Sequence, residues 1–254
     1  ALVAGDALQV TLESDACATT AAVGEYPISL SVADTATSAN YAITVVPGVF
    51  KVTPLEVTVT AEDKSKTYGD ADPELTAEVT GLLSGDTVDY TLSRAEGEDA
   101  GEYAITPSGE AEQGNYTVTF VPGVLTISRA EAVVTAENKT KTYGDADPEL
   151  AAVVTGLKNG DSESVIVYTL SRAEGEDAGE YAITPAGEAE QGNYTVAFVS
   201  GVLTVVPLEI EITPRPQSKR YGELFEFFGN EWGVTSGALV AGDALQVTLE
   251  SDAC

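Results

Sequence analysis

Residues 90–107 read YTLSRAEGEDAGEYAITP, and residues 168–185 repeat them without a change. Two runs of alternating apolar and polar residues, YTLSR and EYAITP, flank a turn rich in Gly, Glu and Asp. Alternation of period two sets one face of an extended strand on a core, and Gly and Asp at its ends reverse the chain. Outward from this stretch the same alternation runs through LEVTVTAE, LTAEVTG, NYTVTFV and VLTIS, divided by the turn-forming runs YGDADP, LSGD and EQGN. No segment carries a helical period. The expected class is all-β.

The repeat extends well beyond that stretch. KTYGDADPEL at 66–75 returns at 141–150, and GEAEQGNYTV at 109–118 returns at 187–196. The offset is 75 residues before the loop near Gly85 and 78 after it, so the second copy holds three extra residues there. An insertion that leaves both flanks intact belongs in a surface turn. A third, diverged copy is divided between the two ends. Lys219, Tyr221 and Gly222 match Lys66, Tyr68 and Gly69, whereas Gly24-Glu25-Tyr26 and Asn40-Tyr41 match Gly101-Glu102-Tyr103 and Asn115-Tyr116. ALVAGDALQVTLESDAC at 1–17 recurs at 238–254, which sets a period of 237 residues. Repeats of 75, 78 and 84 residues fill that period. The expected domains are therefore 1–54 (C-terminal part of a split repeat), 55–129 and 130–207 (complete repeats), and 208–254 (N-terminal part of the split repeat). Periodicity of this kind marks a modular array in which each unit contacts its neighbours. The junctions VTP at 52–54, SRA at 128–130 and VVP at 205–207 are short, and two contain Pro. Such junctions stiffen an array, so a rod is expected.

Composition narrows the function. Twelve Lys and Arg stand against 41 Asp and Glu, with no His, for a net charge of −29 over 254 residues. That charge repels nucleic acid and anionic lipid and keeps neighbouring fibres apart. The apolar stretches are short and interrupted, as in VSGVLTVVPLEIEI, so no membrane insertion of this segment is expected. The absence of Met gives the chain the look of an internal or processed fragment. Cys17 and Cys254 are one position of the period seen twice, so disulfide stapling within a unit is not available. A partly buried thiol or a cross-link between units are the alternatives.

Catalysis has little support, because with no His and one Cys position per period the usual nucleophile–base pairs are absent. The carboxylate pairs sit in repeated turns and not in one enclosed cleft. No cofactor is expected, with calcium as the exception worth weighing. Asp70, Asp72 and Glu74, with Asp145, Asp147 and Glu149 in the next repeat, offer hard oxygen ligands beside Gly, though without the spacing of an EF-hand. Equivalent Lys66, Lys141 and Lys219, and equivalent Asn115, Asn193 and Asn40, raise a Lys–Asn isopeptide cross-link. The plainer reading is a snorkelling Lys and a turn-forming Asn. Aromatic residues gather in the third repeat at Tyr221, Phe225, Phe227, Phe228 and Trp232. They are a candidate site for a host glycan or protein receptor, or simply a larger core.

The ordered motifs V-x-A-x-x-x-K-x-Y-G-D-x-D-P-x-L, S-G-D, R-A-x-G-E-x-A-G-x-Y-A-I-T and N-Y-T-V-x-F-V-x-G-V-L-T resemble the MBG repeat domain of the YGX type. The resemblance is strong over 55–207 and weaker over the split repeat. It implies an extracellular, non-catalytic β module of bacterial surface proteins, including adhesins resembling filamentous haemagglutinin. A β-grasp-like fold is implied for related modules. Asp-Ala-Gly-x-Tyr at 99–103 and 177–181 points instead to the tyrosine corner of an Ig-like sandwich. The expected function is a structural segment of a bacterial cell-surface fibre or adhesin stalk, with adjacent copies of itself as partners. The alternatives are a binding module centred on the aromatic repeat, and head-to-tail polymerisation that completes the split repeat in trans.

Overall fold

The computed structural model describes residues 2–35 and 38–252, so Cys254 lies outside the described residues. The chain divides into two compact units, Ala1–Arg129 and Ala130–Cys254. The first unit begins with an antiparallel sheet of β1 (Val10–Glu13), β2 (Gly24–Val32) and β3 (Gly48–Val52), in that order. A complete repeat follows: β4 (Leu55–Ala61), β5 (Lys64–Thr67), β6 (Ala77–Thr80), β7 (Thr91–Arg94), β8 (Gly101–Ser108), β9 (Glu112–Gln113), β10 (Tyr116–Val121) and β11 (Gly123–Ser128).

These eight strands form two sheets, ordered β6-β4-β10-β9 and β5-β11-β8-β7. The chain crosses from one sheet to the other after β4 and again after β10. The first strands of the repeat thereby run parallel to its last: β4 beside β10 from Leu55↔Tyr116 to Thr60↔Val121, and β5 beside β11 from Lys64↔Leu125 to Thr67↔Ser128. Strand β8 packs across β4 and β10, which makes the repeat a two-layer sandwich. Helices among the described residues are limited to three single 3₁₀ turns, so the element that covers the sheet of a β-grasp is not among them.

Alternation in sequence becomes alternation in burial. Val57, Val59 and Ala61 of β4, Ile105 of β8, Tyr116 and Val118 of β10, and Leu125 and Ile127 of β11 all face the core. Burying a Val, Leu or Ile side chain stabilises by about 1.5–3 kcal/mol. Both crossings are built around a close approach of backbone. A Cβ on Gly123 would lie 2.6 Å from the carbonyl oxygen of Ala61, and the neighbouring Val124 N–H donates to the Asp63 carboxylate at 2.8 Å.

The second unit repeats this plan with β12 (Ala130–Ala136), β13 (Lys139–Thr142), β14 (Ala152–Thr155), β15 (Thr169–Arg172), β16 (Gly179–Ala186), β17 (Glu190–Gln191), β18 (Tyr194–Val199) and β19 (Gly201–Val206). Its sheets are β14-β12-β18-β17 and β13-β19-β16-β15, with the same parallel pairs. The three extra residues sit in an exposed loop that forms a 3₁₀ turn at Glu163–Val165, beside the buried Ile166. The unit closes on a two-stranded sheet, β20 (Glu211–Pro214) with β21 (Trp232–Ser236).

Two glycines separate the cost of backbone shape from the cost of space. Gly81 (φ +92°) has the Glu56 carbonyl oxygen 2.4 Å from where a Cβ would stand, whereas Gly85 (φ +96°) faces open space. Gly85→Ala is expected to cost about 1–2 kcal/mol, the ordinary price of a left-handed L-residue. Gly81→Ala should cost about 3 kcal/mol or more, because the strand must also move. Urea unfolding of the two variants checks the difference.

Candidate functional site

The chemistry of each complete repeat concentrates where β5 and β7 end. Lys66 lies on β5, and its side chain is only 4% exposed. The Lys stem is buried, and its ammonium reaches Asp72 Oδ1 at 2.7 Å and Glu98 Oε2 at 2.5 Å. Arg94, the last residue of β7, donates Nε to the other oxygen of Asp72 at 2.7 Å and one Nη to the other oxygen of Glu98. Two cations and two carboxylates thus close a ring in which each carboxylate bridges both cations. The remaining Arg94 nitrogen ties the turn itself, donating to the carbonyls of Ala95 and Gly97.

Beneath the ring stands an aromatic corner. The Arg94 guanidinium lies 5.8 Å from the centre of the Tyr103 ring, and the Tyr103 hydroxyl donates to the Asp99 carbonyl at 2.9 Å. Gly97 passes so close to that ring that a Cβ would stand 2.2 Å from it. The second repeat reproduces the arrangement with Lys141, Asp147, Arg172, Glu176 and Tyr181. Tyr26 closes the same corner on the carbonyl of Ala22 at 2.8 Å.

The ring holds every member charged. Hydrogen bonds from Lys66, then from Arg94, lower the pKa of Asp72 and of Glu98, and those to Asp72 and Glu98 raise the pKa of Lys66 and Arg94. The directions are the same in the second repeat.

A second tether, which the sequence reading did not single out, fixes the loop before β7. The Tyr116 hydroxyl donates to Asp86 at 2.5 Å and accepts from the Leu83 N–H at 3.3 Å. Tyr194 does the same with Asp161 and Lys158, and Tyr41 with Asp6 and Val3. A signal for it exists in the sequence: Gly-Asp precedes and Asn-Tyr closes all three copies. A third feature that sequence reasoning missed is Glu231, buried and accepting from the N–H groups of Phe228, Gly229 and Asn230 at distances of 2.9, 3.0 and 3.1 Å. Those donors, Phe228 first, lower its pKa.

The structure places the remaining candidate residues individually. Of the calcium candidates, Asp72 and Asp147 each accept from a Lys and an Arg, while Glu74 and Glu149 lie outside the ring. Asp70 and Asp145 shape their turns through N–H bonds to Thr67 and Thr142, and the Asp145 carbonyl also accepts from Lys141. Lys66 and Lys141 donate to carboxylates. Asn115 accepts from Val23 N–H at 2.9 Å through its side chain and from Leu55 N–H through its carbonyl, and the Asn193 carbonyl accepts from Ala130 N–H. Asn40 ends a 3₁₀ turn, and Lys219 and Cys17 are exposed. Phe225 and Phe227 meet edge to face at 5.4 Å, Trp232 donates to the Gly229 carbonyl, and Phe228 is 84% exposed.

Three successive segments, 1–51, 57–126 and 132–204, match the family profile described as MBG domain (YGX type). No curated protein matches the chain.

The ring gives stability a defined pH window. The depressed carboxylates contribute above the ordinary carboxylate range, and that contribution is lost as pH falls through their lowered values. The raised Lys66 contributes fully below the ordinary Lys pKa of about 10.4 and loses this as pH rises through its higher value. Lys66→Met should lower the thermal midpoint of its repeat by about 5 °C at neutral pH, a gap that closes in acid. Unfolding scans from acid to neutral pH check this, with the unaltered second repeat as reference. Because Asp72 and Asp147 are each engaged by two cations, millimolar calcium is expected to leave the midpoint where a chelator leaves it. A rise of several degrees would instead assign these loops to the metal.

Proposed function

Because the chain belongs to the MBG domain (YGX type) family, we propose that it is a structural segment of a bacterial cell-surface fibre or adhesin stalk, a non-catalytic spacer that carries tension. The observation that carries the reading is the parallel pairing of the first and last strands in each complete repeat. Tension along the chain pulls the N-terminal end of β4 and the C-terminal end of β11. In the parallel ladders β4–β10 and β5–β11 these pulled ends lie at opposite ends, so the load runs along the strands. Six register pairs in one ladder and four in the other must then fail together, whereas a peeled hairpin opens one bond at a time.

Other features agree with an exposed stalk outside the cell. The net charge of −29 discourages lateral clumping. No helix among the described residues is long and apolar enough to cross a membrane.

A second reading has one observation of its own. Tyr221, Leu224 and Phe228 are 80% exposed or more, an apolar surface suited to a glycan or protein receptor. Loss of receptor binding in Trp232→Ala or Phe228→Ala, with unfolding unchanged, would support it.

Pulling single chains from their ends tests the load-bearing reading. Each complete repeat is expected to give a separate force peak followed by release of roughly 25 nm of chain. Gradual lengthening without peaks would overturn it.

A further inference from the structure

The second complete repeat carries a turn of its own. Between β14 and β15 its chain reads Leu157-Lys158-Asn159-Gly160-Asp161, where the first repeat has Leu82-Leu83-Ser84-Gly85-Asp86. Of the six Asn residues in the chain, Asn159 alone precedes Gly; Ala4, Ser84 and Ala241 stand at its position in the other copies. The Asp161 N–H closes the turn on the Lys158 carbonyl at 2.9 Å, with Asn159 at φ +53° and Gly160 at φ +74°. Two left-handed central residues mark a type I′ turn, and Asn-Gly is its preferred pair. Of Ser84 and Gly85 only the glycine has a positive φ, so the first repeat makes its turn without Asn.

The same pair is self-reactive. The side-chain amide of Asn can close a five-membered ring with the N–H of the next residue, and Gly presents no Cβ to block that approach. The surroundings leave the approach open. Asn159 and Gly160 are exposed, and a Cβ on Gly160 would meet nothing within 4 Å. Among the described residues the Asn159 side chain and the Gly160 N–H have no hydrogen-bond partner, so neither is held in place. Asn115 and Asn138, by contrast, are engaged as acceptors from the N–H groups of Val23 and Val202.

We propose that Asn159 is a site of spontaneous modification, converting through a cyclic succinimide to aspartate and isoaspartate. The Gly160 nitrogen gives up its proton and attacks Asn159 Cγ. The N–Cγ bond forms, the Cγ–Nδ2 bond breaks, and the amide nitrogen leaves as ammonia. Water then opens the ring, with no oxidation or reduction. Cleavage of the new N–Cγ bond leaves aspartate. Cleavage of the original peptide bond leaves isoaspartate, whose main chain runs through Cβ and Cγ and is one atom longer.

The position gives this change a consequence. Lys158 and Asp161, on either side of the reacting pair, both hold the hydroxyl of Tyr194. The Lys158 N–H donates to it at 2.9 Å, and the hydroxyl donates to Asp161 at 2.6 Å. Tyr194 is 2% exposed, anchored at the start of β18. An added backbone atom between Lys158 and Asp161, with a second carboxylate beside Asp161, draws both partners off that hydroxyl. The tether of the second repeat therefore loosens with age, and that of the first, with Ser84, does not. This holds whether or not the repeat bears load.

The test ages the full chain in warm buffer at neutral and mildly alkaline pH, beside the variant Asn159→Ser and a free peptide of sequence 157–162. Peptide mapping is expected to find –NH2 replaced by –OH at Asn159, and methyltransferase labelling to find isoaspartate there. Conversion should be faster at the higher pH, and slower than in the free peptide, where no turn has to open. Asn40, Asn115, Asn138, Asn193 and Asn230 should stay intact over the same time. Once Asn159 has converted, the thermal midpoint of the second repeat should fall by a few degrees with the first repeat unchanged, and Asn159→Ser should hold both. No conversion at Asn159 in the folded chain would overturn the proposal, and a midpoint unmoved by conversion would overturn its effect on the tether.

Discussion

Each repeat depends on one constraint: its first strands must find its last. β4 and β10 sit at the centre of one sheet, β5 and β11 at adjacent positions in the other, and both chain segments change sheet at the same level. That shared crossing admits no side chain at Gly123 or Gly201, where the carbonyls of Ala61 and Ala136 stand 2.6 Å from a Cβ position. Ordinary alternation supplies the rest of the core.

The polar groups hold the loops that this topology leaves long. The Lys–Asp–Arg–Glu ring joins the loop after β5 to the turn after β7, and the Tyr–Asp tether secures the loop before β7 to β10. Both lie near the surface, where single ion pairs contribute little. Closure of the ring, the nearly full burial of the Lys66 side chain and the Tyr103 face beneath Arg94 set this cluster apart from scattered surface pairs. The third repeat dispenses with the ring: Ser14 stands in the place of Arg94, and Phe225 in that of Asp72. Phe225 packs edge to face with Phe227.

Much of this is legible in the sequence. Strand positions follow from period-two alternation, and the tyrosine corners from Asp-Ala-Gly-x-Tyr. Strand partners are not legible, because alternation tells which face a residue shows and not which neighbour it has. The partners of Lys66, which turns to Asp72 and Glu98, and of Asn115, which accepts from Val23 N–H, are of this kind. Lys66 and Glu98 of the ring lie 32 residues apart. Only the sheet crossing brings them together. The Gly-Asp and Asn-Tyr motifs do carry their tether, since they persist in the split repeat where the ring is gone.

The pairing of first with last strand also sets the order in which the chain can fold. During synthesis or passage through a membrane from the N-terminus, β4 must wait for β10, whose Tyr116 lies opposite Leu55, before its central ladder forms. Such distant contacts slow folding and prolong the exposure of unpaired edges. In the meantime β12, whose neighbour β18 is Tyr-Thr-Val-Ala-Phe-Val, stands one junction away from the closely similar β10, Tyr-Thr-Val-Thr-Phe-Val. Near-identical repeats therefore offer each other ready wrong partners. The third repeat diverges from both complete repeats, so its strands match either of them less well.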